Sequence, residues 1–152
     1  MITLLDVVIP LGILLAMLLS QQPKKTAIAL CGIISVTLTA VDYFTGGWIY
    51  YYCAIVIEFA AFLLLMVSGR YFKKFEDRVF FRALSAFFLV SAGITAAFTF
   101  EYIAAHKDYV FVSHSVALAH VAFMLGFSDG IRKLARDIRH SLFDRWGSRV
   151  SP

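Results

Sequence analysis

One carboxyl group, Glu58, lies near the middle of an apolar run that extends from Trp48 to Val67. A helix rises about 1.5 Å per residue, so this run matches the roughly 30 Å hydrocarbon core of a bilayer. An isolated charge at that depth is unfavourable, and the carboxyl group therefore needs a partner, water or a proton. The position of Glu58 thus predicts either proton or ion binding or a hydrogen bond that holds helices together.

An imidazole, His120, occupies a similar place in a second apolar run, which begins at Tyr109. Glu58 lies ten positions after Trp48, and His120 lies eleven positions after Tyr109. If both runs cross a membrane in the same direction, the two groups lie at similar depth. We therefore predict that Glu58 and His120 form an intramembrane polar pair, which serves as a proton or ion relay or as a buried hydrogen bond between helices.

Other polar residues fall into two sets. Four acids are expected at one end of the apolar runs, where they either attract cations to a pore mouth or simply lie at helix ends: Asp6, Asp42, Glu101 and Asp108. Small and weakly polar residues recur at helical spacing, which favours close helix packing. The alternative is a pore with a polar lining of Ser35, Thr39, Ser91, Thr95 and His114.

Cofactor and metal chemistry have little support in the sequence. Haem b bound by two histidines is the alternative, but His106, His114 and His120 belong to one apolar run or its entrance, so the haem would lie across a subunit interface. Cys31 and Cys53 lie inside apolar runs, and there is no CxxC or Cys/His cluster. We predict no cofactor and no metal. Since nucleophile-elbow, P-loop, HExxH and dinucleotide motifs are also absent, we predict a protein that is not an enzyme.

The elements that position these residues are five apolar runs of membrane-spanning length, at about 2–20, 26–44, 48–67, 79–103 and 109–127. The runs are joined by short polar segments, the longest being the charged segment 68–78. Short connections make neighbouring helices antiparallel. The chain is therefore predicted to be an all-α integral membrane protein whose residues 1–127 form a five-span up-and-down bundle.

Charge predicts the orientation. Of the 14 Lys and Arg residues, 13 fall on one side of the predicted membrane and only Lys107 falls on the other. The positive-inside rule then places the N-terminus outside and the C-terminus in the cytoplasm, as in a bacterial-type inner membrane. The basic residues form short blocks between apolar runs, a pattern typical of membrane topology, so we expect no nucleic-acid partner.

The tail, residues 128–152, is predicted to be a basic amphipathic helix on the cytoplasmic side. Ile131, Leu134 and Ile138 recur at helical spacing, Ser128 or Asp129 can cap the start, and Gly147 can end the helix. Such a helix is expected to lie on anionic lipid through Arg132, Lys133, Arg136, Arg139 and Trp146. A cytoplasmic partner and an intersubunit contact are the alternatives.

Composition agrees with this class, since 61% of the 152 residues are hydrophobic. In outline, such a short chain with a basic tail resembles phage holins and other small phage or bacterial inner-membrane proteins. We predict a homo-oligomer that forms an ion-conducting or membrane-perforating, channel- or holin-like structure. The alternative is a membrane-anchor or structural subunit of a larger membrane complex, redox or otherwise.

Overall fold

The computed structural model describes the backbone of residues 4–45, 47–100 and 106–147, and the side chains in these ranges except those of 4–6, 107 and 141–147. Regular structure in the described ranges is helical throughout. In chain order the elements are α1 (Leu4–Leu19), α2 (Lys24–Thr45), α3 (Gly47–Ser68), a 3-10 turn (Gly69–Tyr71), α4 (Phe75–Thr99), α5 (His106–Gly126) and α6 (Asp129–Gly147).

Within the described ranges, four helical segments are long and apolar enough to cross a membrane: Lys24–Thr45, Gly47–Tyr71, Phe75–Thr99 and Asp108–Gly126. The all-α membrane class predicted from the sequence is therefore supported. The first predicted span differs, because α1 has 16 residues and is shorter than the other four. At about 1.5 Å per residue it covers about 24 Å, less than a typical hydrocarbon core. A fifth span stays a prediction, and residues 2 and 3 lie outside the described ranges.

The start of α4 differs from the prediction. The charged segment 68–78 was expected to be a loop, but the 3-10 turn follows α3 directly and α4 begins at Phe75. Glu76 and Asp77 lie in the first turn of α4, where negative charge interacts favourably with the helix dipole. The helix ends at Thr99, and the remainder of the predicted span, 101–103, lies outside the described residues.

The five helices α1 to α5 form a ring in which each contacts the next and α1 contacts α5. Short connections make the successive helices antiparallel, as predicted, and α2 also contacts α4 across the ring. Gly12 allows the closure, because a Cβ atom at this position would overlap the side chain of Val121 on α5. Because glycine has no side chain, α1 and α5 can approach closely at this position.

Aromatic side chains join α4 to its neighbours at both ends of the bundle. At the end where α3 and α5 begin, Phe98 of α4 stacks on Tyr109, with ring centroids 4.5 Å apart, and contacts Tyr51. Near the opposite end, the rings of Phe80 and Phe123 stack at 5.6 Å. Since edge and stacked ring contacts add to the burial of aromatic surface, these clusters fix α4 against α3 and α5.

The second of these ends, which we call the basic end, carries the starts of α2, α4 and α6. Lys24 is only 4% exposed, and its Nζ lies 3.0 Å from Oδ1 of Asp129. The backbone N–H of Gln21 donates to Oδ2 of the same carboxylate, at 2.9 Å. Arg132 pairs with Glu76 at the start of α4. These contacts attach the beginning of α6 to the bundle.

Asp129 titrates below its usual range. Partial burial raises the pKa of this carboxyl group, but the hydrogen bonds from Gln21 and Lys24 and the charges of Lys24 and Arg132 outweigh burial and leave the pKa below 3.8. Ser128 caps α6 as the sequence suggested, since its Oγ accepts from the N–H of Ile131 at 3.4 Å. Beyond Arg132, the described side chains of α6 are exposed through His140.

Candidate functional site

Glu58 lies on the buried face of α3. Ala54, Glu58, Ala61 and Leu65 recur at spacings of three and four residues, which places them on one side of the helix. The two alanines flank Glu58 and leave room for α4 to approach closely. The carboxyl group is thereby held between α3 and α4, and the residue is only 7% exposed.

Two hydroxyl groups of α4 face this carboxyl group. Ser91 Oγ donates to Glu58 Oε1 at 2.6 Å, and Thr95 Oγ1 lies 3.4 Å from Oε2. Ser91, Thr95 and Thr99 are four residues apart and form one hydroxyl stripe along α4. The hydroxyls of Thr95 and Thr99 also donate to the carbonyl oxygens one turn earlier, at 3.0 and 2.7 Å. Each carboxyl oxygen therefore faces one hydroxyl group.

No cation neutralises this carboxylate among the described side chains. The ion pairs of the described residues join Lys24 to Asp129 and Arg132 to Glu76, both at the basic end. Hydroxyl groups satisfy a carboxyl group by hydrogen bonding but do not cancel its charge. In hydrocarbon, such a group must therefore carry a proton or a bound cation, or be reached by water.

Polar groups continue from Glu58 towards the end of the bundle opposite the basic end. Tyr109 of α5 is buried and interacts with the side chain of Thr95. Tyr50 of α3 is close enough to Tyr109, Asp42 and Glu58 for electrostatic interaction. This series runs from the centre of α3 to the end where α2 stops and α5 starts. We call Glu58, Ser91, Thr95, Tyr109 and Tyr50 the carboxyl site.

The carboxyl site contains Tyr109 and Tyr50, which were not predicted to be functional from the sequence. The sequence does contain a reason to expect Tyr109 at this site. Because α4 and α5 are antiparallel, the start of α5 lies beside the last turns of α4. Tyrosines at the ends of apolar runs are common membrane-interface anchors, and this role alone accounts for the position of Tyr109 in the sequence. The hydroxyl of Tyr109 was therefore overlooked.

His120 lies apart from the carboxyl site, so the predicted contact with Glu58 is not formed. Its ring stacks on Phe87, with centroids 4.8 Å apart and an interplanar angle of 6°, and meets the ring of Phe88 edge-on at 5.3 Å. Its Nε2 atom is buried and has no hydrogen-bond partner among the described residues. The aromatic residues of α4 surround this imidazole, whereas the hydroxyls one turn further along α4 surround the carboxyl group.

The predicted polar lining is brought together only in part. Ser91 and Thr95 lie at the carboxyl site, whereas Ser35 and Thr39 follow α2, where Thr39 Oγ1 donates to the Ser35 carbonyl oxygen at 3.0 Å. His114 contacts the Val110 carbonyl oxygen through Nδ1, at 2.7 Å, within α5. The hydroxyls of α2 and α4 therefore do not form one lining in a single chain.

The remaining predicted residues are distributed as follows. Asp42 and Asp108 are exposed at the end opposite the basic end, whereas Glu101 and the side chain of Asp6 lie outside the described residues. On α6, Lys133, Arg136 and Arg139 are exposed, but Arg132 pairs with Glu76 and lies over the ring of Phe127. The side chain of Trp146 is not among those described. In the described part of the chain no three His, Cys, Asp or Glu side chains converge as a metal site would require.

Comparison with protein-family models, with curated proteins and with solved structures finds no match to this chain.

Proposed function

We propose that this chain is a non-enzymatic membrane protein that moves protons or small cations, and that the carboxyl site is where the ion is bound. The observation that carries the proposal is the environment of Glu58, a buried carboxyl group with two hydroxyl partners and no described cationic partner. Ionisable groups inside membrane-spanning helices are functional-site candidates, because they are costly to keep in hydrocarbon.

The path proposed for the ion begins at the end opposite the basic end. Asp42 and Asp108 are exposed there and raise the local concentration of cations. Tyr50 and Tyr109 lie between that surface and Glu58, and Thr95 connects Tyr109 to the carboxyl group. Hydroxyl groups both accept and donate protons, so this order of side chains suits proton transfer to and from Glu58.

Passage beyond Glu58 requires more than one chain in this proposal. Directly beyond Glu58 towards the basic end, Leu65, Phe80 and Leu84 are fully or almost fully buried, and no described hydrogen bond continues from the carboxyl group in that direction. Thr39 of α2 is exposed and Ser35 is half-buried, and neither hydroxyl forms a described contact with the carboxyl site. A homo-oligomer in which α2 faces a neighbouring copy supplies a second polar surface, which fits the channel- or holin-like function expected from the sequence.

The proposed setting is the cytoplasmic membrane of a bacterial-type cell, crossed by five helices with the N-terminus outside and the basic end in the cytoplasm. The contacts of Lys24, Glu76 and Asp129 place the starts of α2, α4 and α6 together, which fits the positive-inside rule. The exposed basic residues of α6 then face the anionic leaflet, where each contributes about 1 kcal/mol of attraction.

Ion flux in proteoliposomes tests this function. The protein is reconstituted into vesicles that contain a pH-sensitive dye, and flux is followed after a pH step for the wild type, Glu58→Gln and a matched control, Asp137→Asn. Asp137 is an exposed carboxylate of α6, so its loss changes net charge equally but leaves the carboxyl site intact. We expect flux in the wild type and the control, and none in Glu58→Gln.

The detergent-solubilised mass distinguishes the proposed function from the membrane-anchor alternative. A symmetric homo-oligomer that retains its mass in Glu58→Gln supports the channel-like function. A monomer without flux, or a preparation that requires another protein or has the visible spectrum of a haem, contradicts it.

A further inference from the structure

We propose that the groove between α4 and α5 binds one acyl chain of an anionic phospholipid, and that Arg82 binds the phosphate group at the mouth of the groove. This site is separate from the carboxyl site and from the lipid surface expected along α6. It does not depend on ion conduction.

The groove has a volume of about 510 Å³ and is lined almost entirely by apolar atoms. On α4 it is formed by Ala83, Ala86, Phe87 and Val90, and on α5 by side chains between Phe111 and Ala119. The one hydroxyl group in the lining, that of Ser115, donates to the carbonyl oxygen of Phe111 at 2.8 Å. An occupant of the groove therefore gains dispersion contacts with the lining, and the lining has no polar group that still needs a hydrogen bond. A hydrocarbon chain suits such a surface.

The groove lies at the level in the membrane that the acyl chains of the leaflet at the basic end occupy. Ala83 lies eight residues after Phe75, the first residue of α4, and Val90 lies fifteen after it. At about 1.5 Å per residue, the groove extends from about 12 Å to about 22 Å along the helix. A chain that enters beside Ala83 therefore runs towards the middle of the membrane.

Positive charge lies at the mouth. Arg82 is exposed, directly precedes Ala83 and is four residues from Ala86, so it borders the groove. Arg78 is one turn nearer the basic end, and its buried Nε atom has no hydrogen-bond partner among the described residues. The ion pairs among the described residues join Lys24 to Asp129 and Arg132 to Glu76. Neither of the two arginines at the mouth has an acidic partner among the described residues.

An anionic phospholipid satisfies both parts of this surface. A guanidinium group binds phosphate oxygens through several N–H donors, and a long arginine side chain reaches from a helix to the headgroup layer. A second copy of this chain would fill the apolar groove but would supply no phosphate group for Arg82, so it fits only one part of this surface. Basic surfaces between membrane helices are known to bind anionic headgroups.

The test counts lipids bound to the intact protein by native mass spectrometry in detergent, during titration with phosphatidylglycerol or phosphatidylcholine of identical acyl chains. Arg82→Gln removes the charge at the mouth, and Ala86→Phe fills the groove. Lys25→Gln is the matched control, since Lys25 is an exposed basic residue at the same end on α2. Thermal stability in each lipid shows that the variants are folded.

We expect the wild type and Lys25→Gln to bind one phosphatidylglycerol more tightly than phosphatidylcholine. Arg82→Gln should reduce that preference about fivefold, the effect of one basic residue near an anionic headgroup. Ala86→Phe should abolish binding of both lipids at this site. Equal binding of the two lipids by the wild type would overturn the proposal, and so would a folded Ala86→Phe variant that keeps its lipid. A loss of oligomer mass in Ala86→Phe without loss of lipid would assign the groove to a second copy.

Discussion

Lys24 and Asp129 are 105 positions apart in sequence, yet Nζ of the buried lysine lies 3.0 Å from Oδ1 of the aspartate. The pair joins the start of α2 to the start of α6, and Asp129 also accepts from the N–H of Gln21 in the connection after α1. This one carboxylate thus joins the start of the amphipathic helix to α2 and to the connection after α1, in addition to the pair of Arg132 and Glu76.

The first prediction is that Asp129→Asn loosens α6. The substitution leaves the charge of Lys24 buried without its partner, which is costly in an apolar interior. Since the Asp129 side chain is 34% exposed, solvent reduces this cost, and we expect a loss of about 1–2 kcal/mol. Thermal unfolding in detergent and proteolysis within α6 measure the effect. Asp137→Asn is the control, and equal behaviour of the two variants would contradict a role for the pair.

The second prediction concerns pH. Because folding lowers the pKa of Asp129 below 3.8, the stabilisation is present at pH values above 3.8 and is lost as the pH falls through the lower pKa of the folded state. The stability difference between the wild type and Asp129→Asn should therefore be constant from pH 7 to pH 5 and decrease below pH 3.8. A difference that instead disappears between pH 7 and pH 5 would show that another group is responsible.

The third prediction separates the hydroxyl partners of Glu58 from other hydroxyls in the membrane-spanning helices. Ser91→Ala removes the closest donor to the carboxyl group, whereas Ser115→Ala removes a hydroxyl of α5 that donates only to the Phe111 carbonyl oxygen of its own helix. Hydrogen bonds between membrane helices average about 0.6 kcal/mol, so neither variant should unfold. We expect slower flux in Ser91→Ala and unchanged flux in Ser115→Ala. Equal flux in both would mean that Ser91 has no part in ion movement.

The carboxyl site shows how far the sequence alone leads. The apolar run around Glu58 was sufficient to place the residue inside a membrane helix, because length and hydropathy determine that property. Its partners depended on the rotation of α3 and α4 about their axes. That rotation is set by the small residues Ala54 and Ala61, whose effect on neighbouring helices cannot be read from one helix.

The same limit explains His120. Residue counts give the depth of a side chain along its helix but not the direction in which it points, so an imidazole and a carboxyl group at similar depth need not meet. Instead Phe87 and Phe88 project from α4 against the imidazole. The Phe87 ring stacks on the imidazole and the Phe88 ring meets it edge-on, and these aromatic contacts hold His120 against α4.

The fourth prediction follows from this separation. Glu58→Gln and His120→Ala should act independently, because the two side chains have different partners. We expect their effects on thermal stability to add within about 0.5 kcal/mol in the double variant, as for non-interacting sites. His120→Ala should keep flux through the vesicle membrane. A larger coupling energy, or loss of flux in His120→Ala, would restore the direct relay expected from the sequence.

The last prediction concerns the closure of the ring by α1 and α5. A Cβ atom added at Gly12 would overlap Cγ1 of Val121. Valine has little rotamer freedom in a helix, so the two helices must move apart. Gly12→Ala should therefore destabilise the bundle by about 1–3 kcal/mol, as overpacking does elsewhere. Val121→Ala alone should cost less than Gly12→Ala, because it only leaves a small space.

The double variant tests the geometry directly. If α1 packs on α5 through these two residues, Val121→Ala makes room for the new methyl group, and Gly12→Ala/Val121→Ala should be more stable than Gly12→Ala. Gly32→Ala is the control on α2, because its added Cβ would lie at an ordinary 3.5 Å from Ile13. Thermal unfolding in detergent gives the four stabilities of the cycle. Additive losses at Gly12 and Val121 would show that the two residues are not in contact, and that α1 does not close the ring beside α5.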